Sequence, residues 1–259
     1  MTDSSIPSDS FKIGERVLLI DIKKRTFLLT LAHDGQFHSH AGVIEHNLII
    51  GQSEGITLVT NKGYKLIAFR PTLEDVIYKM PRGAQVIYPK DIGKILMAAD
   101  VGPGLTVIES GVGSGALSMA LLRCGVNIVG YEIREDFAKI ARDNVTAVLG
   151  DFVRYEIKIK DIYLGIDELF IDRIILDLPE PQNVIPHAKL SLKKGGILVS
   201  YLPTINQVSI LVETLREFDF EDIGVTETIE RSWYVTQRSV RPDHRMVAHT
   251  GFIVRSRNT

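Results

Sequence analysis

The chain has 259 residues, of which 45% are hydrophobic and 24% charged, and its formal net charge is −2. This composition excludes a disordered chain, and the near-neutral charge gives no global sign of a nucleic-acid partner. The single Cys124 excludes an internal disulfide framework, and no apolar run approaches the ~20 residues of a membrane span. With an N-terminus that does not resemble a signal peptide, the sequence predicts a cytoplasmic protein without a membrane partner.

Residues 13–69 consist of short β-like runs broken by turn residues. This spacing predicts a small sheet or barrel, with strands at 17–20, 26–31, 48–50, 57–59 and 65–69. Pro71 marks a changeover and is followed by a predicted helix at 72–79. We therefore expect a small N-terminal β domain at 1–70, with an interaction or substrate-guiding role, and a larger domain at 71–259.

The N-terminal segment also holds histidines without the spacing of a zinc site. No cysteine accompanies them, so no metal is predicted there. The histidines are His33, His38, His40 and His46.

From Leu105 onward, predicted strands and helices alternate. The strands are expected at 105–109, 127–132, 154–159, 171–177 and 196–201. The helices are expected at 116–123, 135–148, 183–192 and 205–218. This alternation predicts an α/β fold with a doubly wound, mainly parallel sheet, in which ligands bind beyond the carboxyl ends of the strands.

A glycine-rich turn follows the first of these strands. Glu109 ends the strand and is followed by Gly111, Gly113 and Gly115. Such a turn before a helix binds either the phosphates of a dinucleotide or the carboxylate of S-adenosyl-L-methionine. Gly111-x-Gly113-x-x-Ala116 also satisfies the dinucleotide fingerprint, so the glycines alone leave both cofactors open.

Acidic residues end the next strands as well. Glu132 lies about twenty residues past the glycines, where an acid accepts hydrogen bonds from ribose hydroxyls. Asp161 ends the following strand and is a candidate acceptor for an adenine amino group. Asp151, in the turn after a helix, is its competitor.

Asp177 favours methyl transfer over hydride transfer. It follows a buried strand and precedes Pro179 and Pro181, which stiffen the chain. Hydride transfer has no need of a rigid acidic loop at the reactive end of its cofactor. An adenine that attacks through N1 acquires positive charge, which a fixed carboxylate stabilises.

With these residues together, the chain resembles the tRNA adenine-58 N1-methyltransferases, class I enzymes that use S-adenosyl-L-methionine. The similarity covers most of residues 72–253, in the segments 85–91, 109–116, 131–136, 176–181, 192–196, 241–245 and 249–251. The segment 160–165 is similar to archaeal members, some of which also modify adenine 57. Two departures are Ser110 and Val112, where the family often has Ala and Thr, and Gln182-Asn183, where a Trp is common.

The resemblance implies a Rossmann-like fold and formation of N1-methyladenosine at position 58 of the tRNA T-loop, with position 57 as a second site. It implies that Asp177 is the catalytic carboxylate, that Tyr201 walls the adenine pocket, and that Tyr88 lies near the target base or the methyl donor. With the glycine turn, it implies a cofactor site made of Gln85, Glu109, Gly111, Gly113, Ser114, Gly115, Glu132 and Asp161.

The C-terminal stretch carries a local excess of arginine. From Arg231 to the end there are six arginines, no lysine and one acid, Asp243. Arginine favours bidentate contact with phosphate, which makes Arg238, Arg241 and Arg245 candidates for binding tRNA. A subunit interface is the alternative, because the resemblance implies a homotetramer in which residues 223–255 form the last antiparallel strand pair.

Three other functions stay open at this stage. The first is a class I methyltransferase with another substrate, and the second is an NAD-dependent oxidoreductase. The third is an RNA-binding subunit that has lost its activity, which an intact glycine turn together with Asp177 disfavours.

Overall fold

The computed structural model describes residues 9–81, 83, 85–151 and 154–259. The chain divides into two compact units, Met1–Met80 and Pro81–Thr259. The predicted division at residue 70 differs from this one by the short helix after Pro71. Residues 1–8 of the predicted first domain lie outside the described residues.

The first unit is built from short antiparallel strands around its own apolar core. Its elements are β1 (Arg16–Asp21), β2 (Thr26–Thr30), β3 (Gln36–Ser39), β4 (Gly42–Glu45), β5 (Thr57–Val59), β6 (Lys65–Phe69) and α1 (Leu73–Lys79). One sheet has the order β2-β1-β6-β5, and β3 and β4 form a separate hairpin. Phe11, Leu19 and Leu66 are among the residues buried in the core. A capping box starts α1, because the Thr72 and Asp75 side chains each accept a hydrogen bond from the other's backbone N–H.

The predicted strand at 48–50 is wrong. Residues His46–Leu48 form a single 3-10 turn, and the backbone N–H groups of Ile49 and Ile50 both donate to the His46 carbonyl. Ile49 is apolar because it is fully buried in the core and not because it belongs to a strand. The hairpin of β3 and β4 was not predicted, because its two strands are only four residues each and their sequences, QFHS and GVIE, do not alternate strictly between apolar and polar residues.

The second unit contains the predicted α/β arrangement. Its helices are α2 (Pro89–Ala98), α3 (Ala116–Arg123), α4 (Glu135–Leu149), α5 (Ile185–Ser191) and α6 (Ile205–Glu217). Its strands are β7 (Thr106–Ser110), β8 (Asn127–Glu132), β9 (Tyr155–Ile159), β10 (Ile171–Leu176), β11 (Leu192–Leu202), β12 (Phe220–Glu227), β13 (Trp233–Thr236), β14 (Ser239–Pro242) and β15 (Phe252–Asn258).

The main sheet has seven strands in the order β12-β15-β11-β10-β7-β8-β9. The pairs from β11 to β9 are parallel, whereas β15 is antiparallel to both β11 and β12. The chain runs outward from β7 through β8 to β9, then returns to the other side of β7 with β10. The order therefore reverses between β7 and β10, which is where ligands bind in open α/β sheets.

Apolar packing covers the sheet on both faces. Helices α5 and α6 bury Ala188, Leu211 and Leu215 in one cluster with β10 and β11. Helix α4 buries Ala138 and Ala141 against Ile157 of β9. This packing confirms the predicted doubly wound, mainly parallel fold.

The C-terminal region is more elaborate than predicted. An antiparallel pair is present, formed by β12 and β15, but a separate hairpin of β13 and β14 lies between them in the chain. Helix α2, which begins at Pro89, was not predicted. Within the described residues, no helix combines the length and the apolar character needed to cross a bilayer.

Candidate active site

The glycine turn brings the ends of β7 and β10 into direct contact. Gly111 has a φ of 83°, and a Cβ added there would lie 2.1 Å from the Asp177 carbonyl oxygen. The Asp177 N–H also donates to the Ser110 carbonyl at 2.9 Å. Glycine is therefore required at 111 for both its left-handed conformation and the close approach of a second backbone.

Side chains of β8 and α4 hold the turn through hydrogen bonds. The Gly113 N–H donates to Glu132 Oε2 at 3.2 Å, and the Asn144 side chain donates to the Ser114 carbonyl at 3.0 Å. The Ser114 hydroxyl is buried and, among the described residues, has no hydrogen-bond partner. A buried polar atom without a partner is costly, which marks Ser114 as a ligand-binding candidate.

A cavity of about 140 Å³ lies at the carboxyl ends of β7, β8 and β9. Two carboxylates, Glu132 and Asp161, are part of its wall, together with apolar side chains. The lining residues are Ser110, Gly111, Tyr131, Glu132, Ile133, Lys160, Asp161, Ile162, Tyr163, Leu178 and Pro179.

Backbone donors hold both carboxylates in place. Glu132 is buried, and its Oε1 accepts from the Arg134 N–H at 3.0 Å. Asp161 Oδ1 accepts from the Tyr163 N–H at 2.9 Å and caps the short 3-10 turn Ile162–Leu164. Asp151, the competitor of Asp161, is exposed and is not among the lining residues.

These residues fit a nucleoside with a charged tail. The apolar side chains of Ile133, Ile162 and Leu178 suit the faces of a purine ring. A carboxylate has about four acceptor positions, so Glu132 keeps acceptors for ribose hydroxyls beyond its two backbone donors. The unpaired Ser114 hydroxyl in the glycine turn suits the polar tail.

Glu109 lies behind the turn and not in the cavity wall. It is 2% exposed, and its Oε2 accepts from the Ser118 hydroxyl at 2.7 Å. Tyr155 in turn donates to the Ser118 oxygen at 3.1 Å. Burial, with a smaller effect of the Asp177 and Glu132 charges, raises the pKa of Glu109 to about 8. Glu109 is therefore protonated at neutral pH, and its hydrogen bond with Ser118 connects the end of β7 to α3.

Asp177 is a half-buried carboxylate at the start of a loop that is held by hydrogen bonds. Burial raises its pKa to about 6. The Glu180 N–H donates to the Tyr163 hydroxyl at 3.2 Å, and the Gln207 side chain donates to the Pro179 carbonyl at 2.9 Å. These contacts fix the loop that follows Asp177. Gln182, where the resembled family often has Trp, lies half-buried in the 3-10 turn that comes next.

Tyr201 lies beside Asp177 at the end of the neighbouring strand. Leu176 of β10 pairs with Ser200 of β11, so Asp177 and Tyr201 follow at the same level. The Tyr201 hydroxyl is 3.3 Å from Oδ2 of Asp91, a fully buried residue that sequence reasoning did not select. The available signal was a Lys-Asp pair at the start of a helix, directly after Tyr88-Pro89.

Several other predicted residues lie outside the cavity wall. The residues that line it do not include Gly113, Ser114, Gly115, Asp177 or Tyr201. Tyr88 and Gln85 lie in the segment before α2. Tyr88 immediately precedes α2, and its carbonyl accepts from the Asp91 and Ile92 N–H groups. Gln85 is exposed on the segment before this helix. Neither is among the described residues that line the cavity.

The three predicted arginines lie on and after the hairpin of β13 and β14. Arg238 and Arg245 are exposed, and the Arg241 guanidinium lies over the Tyr234 ring, 4.7 Å from its centroid. Two other C-terminal arginines are already paired. Arg255 and Arg257 both bind Asp222, at 2.7 and 3.2 Å.

The reversal of strand order, the glycine turn and the acids at successive strand ends define a class I methyltransferase. A family model described as the tRNA methyltransferase complex GCD14 subunit matches residues 64–254, and a TrmI-like N-terminal model matches residues 10–58. The chain belongs to this family of tRNA methyltransferases. Its membership decides between the two enzyme classes that the glycine turn alone left open.

Relatives resemble the chain over nearly its full length. A tRNA (adenine(57)-N(1)/adenine(58)-N(1))-methyltransferase TrmI of Methanocaldococcus jannaschii is 37% identical, over 93% of this chain and 94% of the relative. A tRNA (adenine(58)-N(1))-methyltransferase TrmI of Thermus thermophilus is 35% identical, over 92% and 94%.

Two crystal structures have the same fold over both units of the chain. A SAM-dependent O-methyltransferase from Thermotoga maritima has a TM-score of 0.93 and 37% identity, over 97% of this chain and 95% of that chain. A tRNA (m1A58) methyltransferase TrmI from Aquifex aeolicus has a TM-score of 0.86 and 29% identity, over 96% and 99%.

The raised pKa of Glu109 predicts a pH-dependent stability. Between the ordinary value of 4.5 and about 8, the folded chain keeps a proton that the unfolded chain releases. The free energy of unfolding therefore falls as pH rises through this window, and the contribution levels off above it. Glu109→Gln stays neutral and can still accept from Ser118, so its stability relative to wild type should rise from pH 5 to pH 8.

Urea unfolding at pH 5, 6.5 and 8 measures this difference. Glu156→Gln, which replaces an exposed acid on β9, is the matched control and should show no such trend. Parallel profiles for wild type and Glu109→Gln would contradict the assignment of a neutral Glu109.

Proposed function

We propose that the chain binds S-adenosyl-L-methionine and transfers its methyl group to N1 of adenine 58 in the tRNA T-loop, with adenine 57 as a second site. The contact between Gly111 and Asp177 carries the proposal. It sets a half-buried carboxylate between two residues of the cavity wall, Gly111 and Leu178. The names of the Methanocaldococcus, Thermus and Aquifex relatives support the substrate.

The chain's own residues have distinct parts in this reaction. When bound, S-adenosyl-L-methionine supplies an electrophilic methyl group on a sulfonium sulfur. Glu132 accepts from its ribose hydroxyls, Asp161 accepts from its adenine amine, and Ser114 and the glycine turn bind its methionine end. The apolar wall of the cavity excludes water from the purine.

Asp177 acts on the target base. The N1 atom of adenine carries no proton, so its attack on the methyl group needs no general base. Positive charge develops on the ring as the new bond forms, and the Asp177 carboxylate stabilises this charge while it accepts from the exocyclic amine. Tyr201, at the same level of the next strand, provides a surface for stacking a base taken out of the tRNA.

The direct test is to map the methylated nucleotide. Full-length protein is incubated with unmodified tRNA transcript and labelled S-adenosyl-L-methionine, and the product is digested to nucleosides and sequenced. N1-methyladenosine at 58, or at 57 and 58, is expected. A 2′-O-methylated ribose would instead favour an O-methyltransferase like the Thermotoga protein of similar structure. The absence of any methylated nucleotide would contradict the proposed substrate.

Asp177→Asn should lower kcat at least about 100-fold, because a preorganised charge at the reacting centre is removed. Wild-type kcat/KM should fall as pH decreases through about 6, because protonation removes the carboxylate. The remaining activity of Asp177→Asn should lack this acid limb. Affinity for S-adenosyl-L-methionine, measured by calorimetry, should change little.

Glu180→Gln is the control for this experiment, since it neutralises an exposed acid in the same loop. It should keep the wild-type pH profile. A large loss of cofactor affinity in Asp177→Asn would assign Asp177 to binding the methyl donor instead of the base.

The C-terminal hairpin is the proposed tRNA-binding surface of an assembly of four identical, cytoplasmic chains. Arg238, Arg241 and Arg245 supply positive charge near the partly exposed aromatic side chains of Trp233 and Tyr234. The same hairpin exposes Val235 and Val240, which suit an apolar interface with another copy. Different side chains of one ribbon would thus serve RNA binding and subunit assembly.

Replacement of both Arg241 and Arg245 by Gln should weaken tRNA binding and flatten its salt dependence. The slope of log K against log salt should decrease in magnitude by roughly 0.9 for each phosphate that the protein no longer neutralises. Filter binding at salt concentrations from about 50 to about 200 mM measures this slope, because the affinity of phosphate-binding proteins falls steeply over that range.

The matched control is the double replacement of Arg255 and Arg257 by Gln, which removes two charges already paired with Asp222. This control should change the slope less. An unchanged slope for the Arg241 and Arg245 variant, together with a lower oligomer mass by light scattering, would assign these arginines to the subunit interface.

A further inference from the structure

A buried polar cluster lies at the end of β11, outside the cavity wall. It comprises Lys90, Asp91, Tyr201 and Thr250, and we call it the Asp91 cluster. The Asp91 side chain is 0% exposed. Its Oδ1 accepts from the Lys90 ammonium at 2.8 Å, and its Oδ2 accepts from the Thr250 hydroxyl at 2.6 Å and from the Tyr201 hydroxyl at 3.3 Å.

Lys90 completes the cluster with all three of its donors engaged. Besides Asp91, its ammonium donates to the Thr250 oxygen at 2.6 Å and to the Thr228 carbonyl at 2.7 Å. The cluster therefore has one positive and one negative charge, each fully hydrogen-bonded. A buried ion pair is seldom more stabilising than apolar packing of the same size, so stability alone does not explain this one.

The side chain that is oriented is Tyr201. A Cβ added to Gly251 would lie 2.4 Å from Cζ and 2.7 Å from the hydroxyl oxygen of Tyr201, so the ring lies directly on the Gly251 backbone. Burial and the negative charges of Asp91 and Asp177 raise the pKa of Tyr201, which keeps the phenol neutral and able to donate. Gly251 thus fixes the ring and Asp91 fixes its hydroxyl.

We propose that Lys90, Asp91 and Thr250 are positioning residues that hold the Tyr201 ring as a fixed wall of the target-base site. The proposal rests on the proposed function, in which that base is an adenine of tRNA. The three residues do not contact the base. They act through the Tyr201 hydroxyl, which they keep directed at Asp91 beside the Asp177 loop.

A double-mutant cycle tests this coupling. Thr250→Val removes the hydroxyl between Lys90 and Asp91 and should lower kcat about tenfold, because a small misplacement at a reacting centre is costly. Affinity for S-adenosyl-L-methionine should stay within about twofold. Thr250→Ser retains the hydroxyl and should restore kcat. In a Tyr201→Phe background, Thr250→Val should have less than about a twofold effect, since the effects of residues in one hydrogen-bond network are not additive.

Equal effects of Thr250→Val in both backgrounds would overturn the proposal, because Thr250 would then act without the phenol. Failure of Thr250→Ser to restore kcat, with a lowered melting temperature for both variants, would show a structural role alone and would also overturn it.

A second measurement needs no tRNA and separates this proposal from the proposed function. In protein labelled with ¹³Cζ-tyrosine, the Tyr201 signal is assigned by its disappearance in Tyr201→Phe. Its chemical shift should move in Thr250→Val and in Asp91→Asn, and return in Thr250→Ser. An unmoved shift would overturn the positioning role, whereas the nucleotide map alone decides the methylated substrate.

Discussion

The backbone contact between the ends of β7 and β10 is the constraint on which the site depends. Gly111 lies against the Asp177 carbonyl, and the Asp177 N–H donates to Ser110. The strand order reverses between β7 and β10. The contact therefore joins the loop that follows β7 to the loop that follows β10. A side chain at 111 would separate the glycine turn, the proposed cofactor site, from Asp177, the proposed catalytic carboxylate. The two loops are therefore geometrically coupled, since a shift of one moves the other.

Around this contact the structure places acids in three different environments. Glu109 is buried, neutral at neutral pH, and bonded to Ser118. Asp177 is half-buried with a pKa of about 6, so it is charged at neutral pH but incompletely solvated. Glu132 accepts hydrogen bonds from the backbone N–H groups of Gly113 and Arg134. Because Glu109 is protonated at neutral pH, it adds no negative charge close to Asp177 and Glu132.

Local sequence signals predicted the parallel half of the sheet and part of the site. Buried apolar runs that end in an acid indicated β7 to β10, and Gly111, Glu132 and Asp161 line the cavity as strand-end residues should. Glu109 fitted the same pattern but lies behind the turn. It was expected in the cofactor site, because period-two alternation does not show which residue at the strand end faces the ligand. The strand expected at 48–50 failed because a short apolar run fits a buried turn as well as a strand. Asp91 was missed because its partners, Tyr201 and Thr250, lie more than a hundred residues away along the chain.

Lys90 joins the two ends of the segment that connects β12 to β15. Its ammonium donates to the Thr228 carbonyl at one end of this segment and to the Thr250 hydroxyl oxygen at the other. His249 adds a second tie next to Thr250, to Glu227 and to the Pro203 carbonyl. Residues 229–249, which include the hairpin of β13 and β14, therefore form a loop closed at its neck. The Lys90 ammonium, which also donates to Asp91, offsets part of the entropy cost of closing this loop. Opening of the neck would release the hairpin and would also remove the Thr250 hydroxyl from Asp91, to which the Tyr201 hydroxyl donates, so local unfolding of the hairpin would disturb the order of that phenol.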